Sequence, residues 1–234
     1  MVIVITATRG SRAEFLERPL GRSLARMSFA PTLQFAVIEN NQAGLPAAFN
    51  RFIVEEMREH ALVFMHDDVW IDDLFFSDRI RAALDTFDVA GLAGNRRLLP
   101  GASAWHVKND AMEWDSEFLS GVVCHGAQPF GAASVYGPTP APVQLLDGVL
   151  LAARASALLD AGLRFDQRFD FHHYDLDFSR QANAAGLRVG TWPIAVTHAS
   201  GGAFGSAAWN RSLALYREKW PAAARGTIAG NFGL

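Results

Sequence analysis

The run Ala61-Leu62-Val63-Phe64-Met65 stops at His66-Asp67-Asp68 and resumes as Val69-Trp70-Ile71. Its length and its apolar, β-branched character describe a buried strand. An imidazole and two acids at its exit therefore stand on the carboxyl edge of a sheet, the edge where open α/β folds bind ligands. Carboxylates placed there, with open positions around them, suit a hard divalent cation that also holds a phosphate. Asp is also a common turn residue, so a loop that caps the next segment is the competing account of the same residues.

The surrounding sequence alternates. Strands are expected at Val2–Ala7, Leu33–Ile38, Ala61–Met65 and Val89–Ala93. Between them, Pro19 opens a helix with Leu20, Leu24 and Met27 inward, and further helices are expected at Pro46–Glu59 and Leu74–Phe87. This order predicts an α/β fold with a mainly parallel central sheet and crossover helices on its faces. From about Gly94 to Pro142 the chain is rich in Gly, Pro, Ala and Ser around Trp105, Trp114, Phe118 and Phe130. A long irregular stretch of functional or mobile character is expected there, with Pro138–Pro142 as an extended connector. Regular structure returns as a strand at Gly148–Ala153, a helix at Asp175–Ala185 closed by Gly186, and a strand at Leu187–Val196. In a last helix near Ala207–Trp220, Trp209, Leu213, Tyr216 and Trp220 share a face expected to pack on the core.

With 234 residues, one substantial core in one domain is the economical reading. An apolar share of 50% against 19% charged residues describes a folded globular chain rather than a disordered one. The net charge of −3 gives no electrostatic reason to expect a nucleic-acid partner. Cys124 is the sole cysteine, so no intrachain disulfide forms, which fits a reducing compartment. The apolar start Met1–Thr6 has no basic residue before it and is shorter than a secretory leader requires, so a strand is expected there. No stretch approaches the ~20 apolar residues of a membrane span. The expectation is a soluble cytoplasmic protein, with peripheral membrane contact left open.

Further constellations could carry chemistry. Asp170-Phe171-His172-His173-Tyr174-Asp175-Leu176-Asp177 sets three acids and two histidines before a helix. Capping at the positive end of the helix dipole accounts for one acid but not for the histidines. A carboxylate there also suits the general base that a hydroxyl nucleophile needs. His198 follows an expected strand and precedes Ser200-Gly201-Gly202; imidazole ligates Mn²⁺-like ions better than Mg²⁺, and a structural histidine is the plain alternative. Asp147-Gly148 reads as a tight turn or as a substrate contact. Trp105 and Trp114 read as core residues or as the floor of a sugar or lipid acceptor site. Missing motifs narrow the field: no Gly-x-Gly-x-x-Gly follows the first strand, and neither a phosphate-binding P-loop nor a Gly-x-Ser-x-Gly elbow is present.

Taken in order, these segments resemble the family 2-like glycosyltransferases with the GT-A fold. Thr6-Ala7-Thr8-Arg9 is similar to the family's opening strand and base-binding loop, and Val37-Ile38-Glu39-Asn40-Asn41 to its second strand. Val63–Asp68 resembles the strand ending in the Asp-x-Asp motif, with His66 where the first Asp is commoner. Leu146-Asp147-Gly148 resembles the segment opening the acceptor half, and Asp175-Leu176-Asp177 the acid-rich motif, with Tyr174 in place of an acid. The resemblance implies a GT-A-type fold with a Rossmann-like nucleotide-binding half (1–93), an acceptor-binding and catalytic half (94–206) and a C-terminal helix and tail (207–234). It implies inverting transfer of a sugar from a nucleotide-diphosphate donor to an acceptor hydroxyl, in polysaccharide biosynthesis or related roles. Asp175 falls on the catalytic base, Asp68 and His198 on the ligands of Mg²⁺ or Mn²⁺, and Thr6, Glu39, Asp67 and Asp147 on nucleotide-sugar contacts. The acceptor would be a glycan, a lipid-linked molecule or a small molecule. The substitutions at His66 and Tyr174 keep open a nucleotide-sugar binding protein without catalysis. Thr8-Arg9-Gly10-Ser11-Arg12 is a faint match to a nucleotidyltransferase loop, and a metal-dependent hydrolase is opposed by the motif order.

Overall fold

A computed structural model describes residues 1–201 and 204–221. The elements are β1 (Val2–Ala7), α1 (Arg12–Glu17), α2 (Pro19–Arg26), β2 (Leu33–Ile38), α3 (Leu45–Asn50), a 3-10 turn (Glu55–Met57), β3 (Ala61–Met65), β4 (Val69–Ile71), α4 (Phe76–Thr86), β5 (Val89–Gly91) and β6 (Ala93–Asn95). They continue as β7 (Leu119–His125), β8 (Ala132–Gly137), β9 (Ala141–Pro142), β10 (Leu145–Leu146), β11 (Leu150–Arg154), α5 (Ala155–Asp160), α6 (Tyr174–Ala184), β12 (Val189–Thr191), β13 (Val196–His198) and α7 (Ala207–Lys219).

Two sheets result. One has the order β2-β1-β3-β11-β5-β12-β9, and the other β10-β6-β7-β13-β4 with β8 paired to β7. Parallel pairing joins β2, β1 and β3, and Val2 stands opposite both Leu33 and Ala61. Every residue of β3 is buried, which is why this strand is an unbroken apolar run. The mainly parallel sheet expected from the alternation is corrected to a mixed one. β11 runs antiparallel to both of its neighbours, β3 and β5. It enters through the three-residue link Asp147-Gly148-Val149 from β10 in the other sheet, not through a crossover helix, and that link sets its direction.

The chain changes sheets repeatedly, and two of these changes cut expected strands. Val89–Ala93 divides at Leu92 into β5 and β6; Leu187–Val196 divides into β12 and β13 around Pro193, which has no N–H for a ladder. The link His66-Asp67-Asp68 is another such passage, from β3 to β4. The stretch expected to be irregular holds an antiparallel β7–β8 pair, hidden in sequence by Ala, Ser and Gly, which carry weak strand preference. Its seam is tight at Gly121, where φ is +106° and a Cβ would stand 2.0 Å from the Leu92 carbonyl oxygen. Gly121→Ala is expected to lower the melting temperature by on the order of 10 °C or to prevent folding. An unchanged thermal melt of that variant would contradict this close approach.

Helices also differ from expectation. The helix Pro46–Glu59 ends at Asn50, whose side-chain amide exchanges hydrogen bonds with the Phe165 backbone at 2.8 and 2.9 Å. Val54 beyond it is extended, as a β-branched residue tolerates well. α1, which was not expected from the sequence, opens on the capping box Ser11-x-x-Glu14: the Ser11 N–H donates to Glu14 Oε2 at 2.7 Å, and the Glu14 N–H to Ser11 Oγ at 3.3 Å. Gly186, at φ +78°, closes α6 as expected. Trp209, Leu213 and Tyr216 of α7 are buried in the core and Trp220 packs against it. Residues 222–234 of the expected tail lie outside the described residues. Among the described residues, no helix is long and apolar enough to cross a membrane.

An aromatic cluster fixes the start of α6. Phe49, Phe64 and Phe165 are mutual neighbours with ring centroids 5.0–5.5 Å apart. Phe165 stacks on Phe178 at 4.2 Å, and Tyr174 closes on Phe49 and Phe165. Each such pair contributes ~1 kcal/mol beyond its burial. α6 is thereby held with its first turn, Tyr174 and Asp175, against the Gly148 link.

Candidate active site

Three strand ends meet at the seam between the sheets. β13 pairs antiparallel with β4, placing His198 opposite Val69, and the Ala199 N–H donates to the Asp68 carbonyl at 3.0 Å. The His66 N–H donates to the Val149 carbonyl at 3.4 Å, which ties the exit of β3 to the link before β11. Potential ligand atoms of His66, Asp68 and His198 all lie within 4.8 Å of one another. Asp68 Oδ1 is buried and has no hydrogen-bond partner among the described residues; His198 Nε2 stands 3.4 Å away. An anionic oxygen left in this state is costly unless a cation completes it, so this donor set fits a divalent metal. Burial opposes ionisation of Asp68, yet His198 and His66 beside it hold its carboxyl well below the usual carboxylate range. Burial pushes His66 down to about 4.

Two clefts open on either side of these residues. The first, about 850 Å³, is lined by Thr8, Arg9, Asn41, Gly44, Asp67 and Asp68 among others. The second, about 250 Å³, is lined by Trp105, Trp114, Tyr136, Asp147, Asp175 and His198 among others. His66 and Phe171 line both, and their rings stack with centroids 5.4 Å apart. The first cleft carries two arginines, Arg9 and Arg18; no Lys or Arg is among the described residues that line the second.

Asp175 sits on the second side. Its Oδ2 accepts from the Gly148 N–H at 2.9 Å. Burial, reinforced by the neighbouring Asp147, pushes its carboxyl up to about 7. Burial also raises Asp147. Tyr174, in place of an acid, donates its hydroxyl proton to the Gly148 carbonyl at 2.8 Å and meets His66 Nε2 at 3.2 Å. Ahead of α6, His173 takes the left-handed conformation at φ 61° while its ring bridges Ser212 Oγ at 3.0 Å and the Ser103 carbonyl at 3.1 Å. Those two anchors offset the ~1 kcal/mol or more of such a conformation.

Not every residue singled out in sequence reaches a cleft. Thr6 is fully buried and Glu39 accepts from the Arg12 N–H at 3.0 Å; neither is among the lining residues, and Thr8 and Asn41 take the positions nearest to them. Asp67 lines the first cleft with Oδ2 held by Arg18 Nε at 2.7 Å. Asp177 turns away from both clefts into an ion pair with Lys219. Trp105 and Trp114 both line the second cleft, with Trp114 half exposed and stacked on Tyr136. Tyr136 and His125 came without a sequence signal, since β7 and β8 fell within the stretch expected to be irregular. Phe171 stood inside the acid-rich segment but without a role. Of the glycine-rich loop, Ser200 and Gly201 line the second cleft, while Gly202 and Ala203 lie outside the described residues.

No protein-family model and no curated protein matches the sequence. Solved structures do. TarS of S. aureus is similar with a TM-score of 0.51 at 16% identity, over 85% of this chain and 36% of that one. The TarS 1-349 fragment, solved in complex with UDP, gives 0.50 at 15% identity over 86% and 60%. The chain shares the fold of the part of TarS that it matches. It spans little more than a third of TarS and three fifths of the fragment, and at these identities the likeness is one of fold. A lower TM-score, 0.47 at 16% identity over 89% and 59%, relates it to the mannosyltransferase PcManGT from Pyrobaculum calidifontis, solved with GDP-Man and Mn²⁺.

Proposed function

We propose that the chain is a metal-assisted glycosyltransferase of GT-A type, moving a sugar from a nucleotide-diphosphate donor to an acceptor hydroxyl with inversion. The observation that carries this reading is the pair of clefts meeting at His66, Asp68 and His198, with a raised-pKa carboxylate on one side only. The fold shared with TarS 1-349, which was solved with UDP, supports it.

In this reading residues 1–93 supply most of the donor cleft, residues 94–206 most of the acceptor cleft, and α7 a brace. Asp68 and His198 would hold Mg²⁺ or Mn²⁺. The cation, when bound, supplies Lewis-acid stabilisation of charge on the leaving diphosphate. Thr8, Asn41 and Asp67 face the nucleotide, with Glu39 holding the Arg12 N–H behind them. Asp175 takes the proton of the acceptor hydroxyl as its oxygen bonds to the anomeric carbon and the bond to the diphosphate breaks. Its upward shift suits that role, because a general base works best with a pKa near the working pH. Asp147 lies beside Asp175 and keeps its pKa up. Phe171 stacks on His66 at the boundary and excludes water from the reacting centre. A second cleft with aromatic walls and carboxylates, and no Lys or Arg among the described residues that line it, favours an uncharged acceptor over a phosphorylated one.

A thermal-shift panel of nucleoside diphosphates and sugar nucleotides, with and without MnCl₂, tests the donor side. Metal-dependent stabilisation by one nucleotide class is expected. A protein indifferent to every nucleotide diphosphate, with or without metal, does not have this function. Donor turnover with neutral against phosphorylated acceptors then tests the acceptor side.

A further inference from the structure

We infer that His66 is a third ligand of the metal through Nδ1, and that the resulting set of two imidazoles and one carboxylate selects Mn²⁺-like ions over Mg²⁺. The inference rests on the donor-site reading above only for where the cation sits.

Proton accounting singles out the nitrogen. The Tyr174 hydroxyl has one proton, and the Gly148 carbonyl, 2.8 Å away, can only accept it. At its other contact, 3.2 Å from His66 Nε2, the phenol oxygen must therefore accept. Nε2 carries the ring proton, and the lone pair of the neutral imidazole is left on Nδ1. A metal-bound histidine characteristically donates its second N–H to a group that fixes its tautomer. Tyr174, itself fixed by a carbonyl and fully enclosed in the aromatic cluster, is such a group.

The positions agree. His66 and His198 approach with ring centroids 5.7 Å apart, and Asp68 Oδ1, buried and without a hydrogen bond among the described residues, has His198 Nε2 3.4 Å away. Donor atoms about 2.2 Å from one ion are at most ~4.4 Å apart. One ring nitrogen of each histidine and a carboxylate oxygen of Asp68 lie within 4.8 Å of one another, so the set needs to close by no more than on the order of 0.5 Å. Imidazole nitrogen suits Mn²⁺, Co²⁺ and Zn²⁺, whereas Mg²⁺ is held by oxygen and keeps its waters. One carboxylate with two imidazoles is a poor Mg²⁺ site. An acid at position 66 would shift the balance toward Mg²⁺.

The test titrates the full chain, stripped of metal by chelation and dialysis, with MnCl₂ and MgCl₂ by calorimetry, each with and without UDP or GDP. CoCl₂ serves as a visible-absorption probe of nitrogen donors. Wild type is expected to bind Mn²⁺ at least ten-fold more tightly than Mg²⁺. His66→Ala and His66→Gln are expected to weaken Mn²⁺ ten-fold or more. His66→Asp is expected to bring the two ions close to equal affinity and to alter the Co²⁺ spectrum. Circular dichroism selects variants that fold, and with three substitutions at the position the comparison survives the loss of one. Equal Mn²⁺ affinity in folded His66 variants, equal Mn²⁺ and Mg²⁺ affinity in wild type, or no cation binding at all would each overturn the assignment. The two readings separate cleanly. Binding of Mn²⁺ that depends on His66 but not on any nucleotide sinks the donor reading alone. Nucleotide binding with Mn²⁺ that ignores His66 sinks the ligand assignment alone.

Discussion

Asp175→Asn is expected to lower transfer by 10²–10⁴-fold while leaving nucleotide affinity within about two-fold, the range over which removal of a general base acts. The substitution keeps an oxygen for the Gly148 N–H and removes only the proton acceptor. In wild type the rate is expected to rise with pH through about 7, since the deprotonated carboxylate is the active form and burial beside Asp147 holds its pKa there. A second consequence concerns stability. A carboxyl whose pKa is higher folded than unfolded stabilises the fold in its protonated form, fully so below its ordinary value near 3.8, and loses that contribution as pH rises through about 7. Metal-free Asp175→Asn carries no such loss. Its melting temperature relative to wild type is therefore expected to increase between pH 5 and pH 8. Near-normal transfer by Asp175→Asn, or a flat rate profile from pH 6 to 8, removes Asp175 from the role of base.

The second large effect is expected two residues further on. Asp177 is fully buried, with Lys219 Nζ at 2.8 Å and the Trp220 indole N–H donating to it at 2.8 Å. Its other oxygen accepts from Gln181 Nε2 at 2.7 Å. Lys219 also reaches Asp166 at 2.7 Å, so one acid of α6 and one of the preceding loop clasp the end of α7. Asp177→Ala leaves an indole N–H, an amide and a largely enclosed ammonium short of a partner. Removing one member of a buried pair costs about 3–5 kcal/mol, which for a chain of this size corresponds to a melting temperature lower by on the order of 10 °C. Nucleotide affinity measured well below that temperature is expected to stay close to wild type, because Asp177 lines neither cleft. A melt within 2 °C of wild type contradicts the clasp, and a selective loss of nucleotide binding in a folded variant contradicts its separation from the site.

By residue type alone Asp175 and Asp177 stood as equals within one acid-rich segment, and only the family resemblance put the base at Asp175. Two residues along a helix turn its face by about 200°, so two acids at that spacing cannot look into the same cleft. That argument was available from the spacing, but not which acid looked inward. The choice depends on the aromatic cluster around Phe49, Phe64 and Phe165, drawn from segments more than a hundred residues apart. The same holds for Thr6 and Glu39. Their strands were legible from apolar runs alone, yet the side chains that reach the cleft belong to the loops just beyond, at Thr8 and Asn41. The ligand role inferred for His66 depends on Tyr174, 108 residues away in sequence, whose hydroxyl meets its Nε2 at 3.2 Å.

Local chemistry determined what is local. The apolar runs of β1, β2 and β3, the exit of β3 at His66-Asp67-Asp68, the opening of α2 at Pro19 and the closing of α6 at Gly186 all follow from residues within a few positions of one another. Tertiary structure alone decided the mixed direction of the sheets, the cutting of two expected strands at the seam, and the addition of His66 to Asp68 and His198, which the family resemblance had already paired. Each of these depends on pairing between distant segments, β11 with β3 and β13 with β4, whose free energy comes from burial that no single segment encodes.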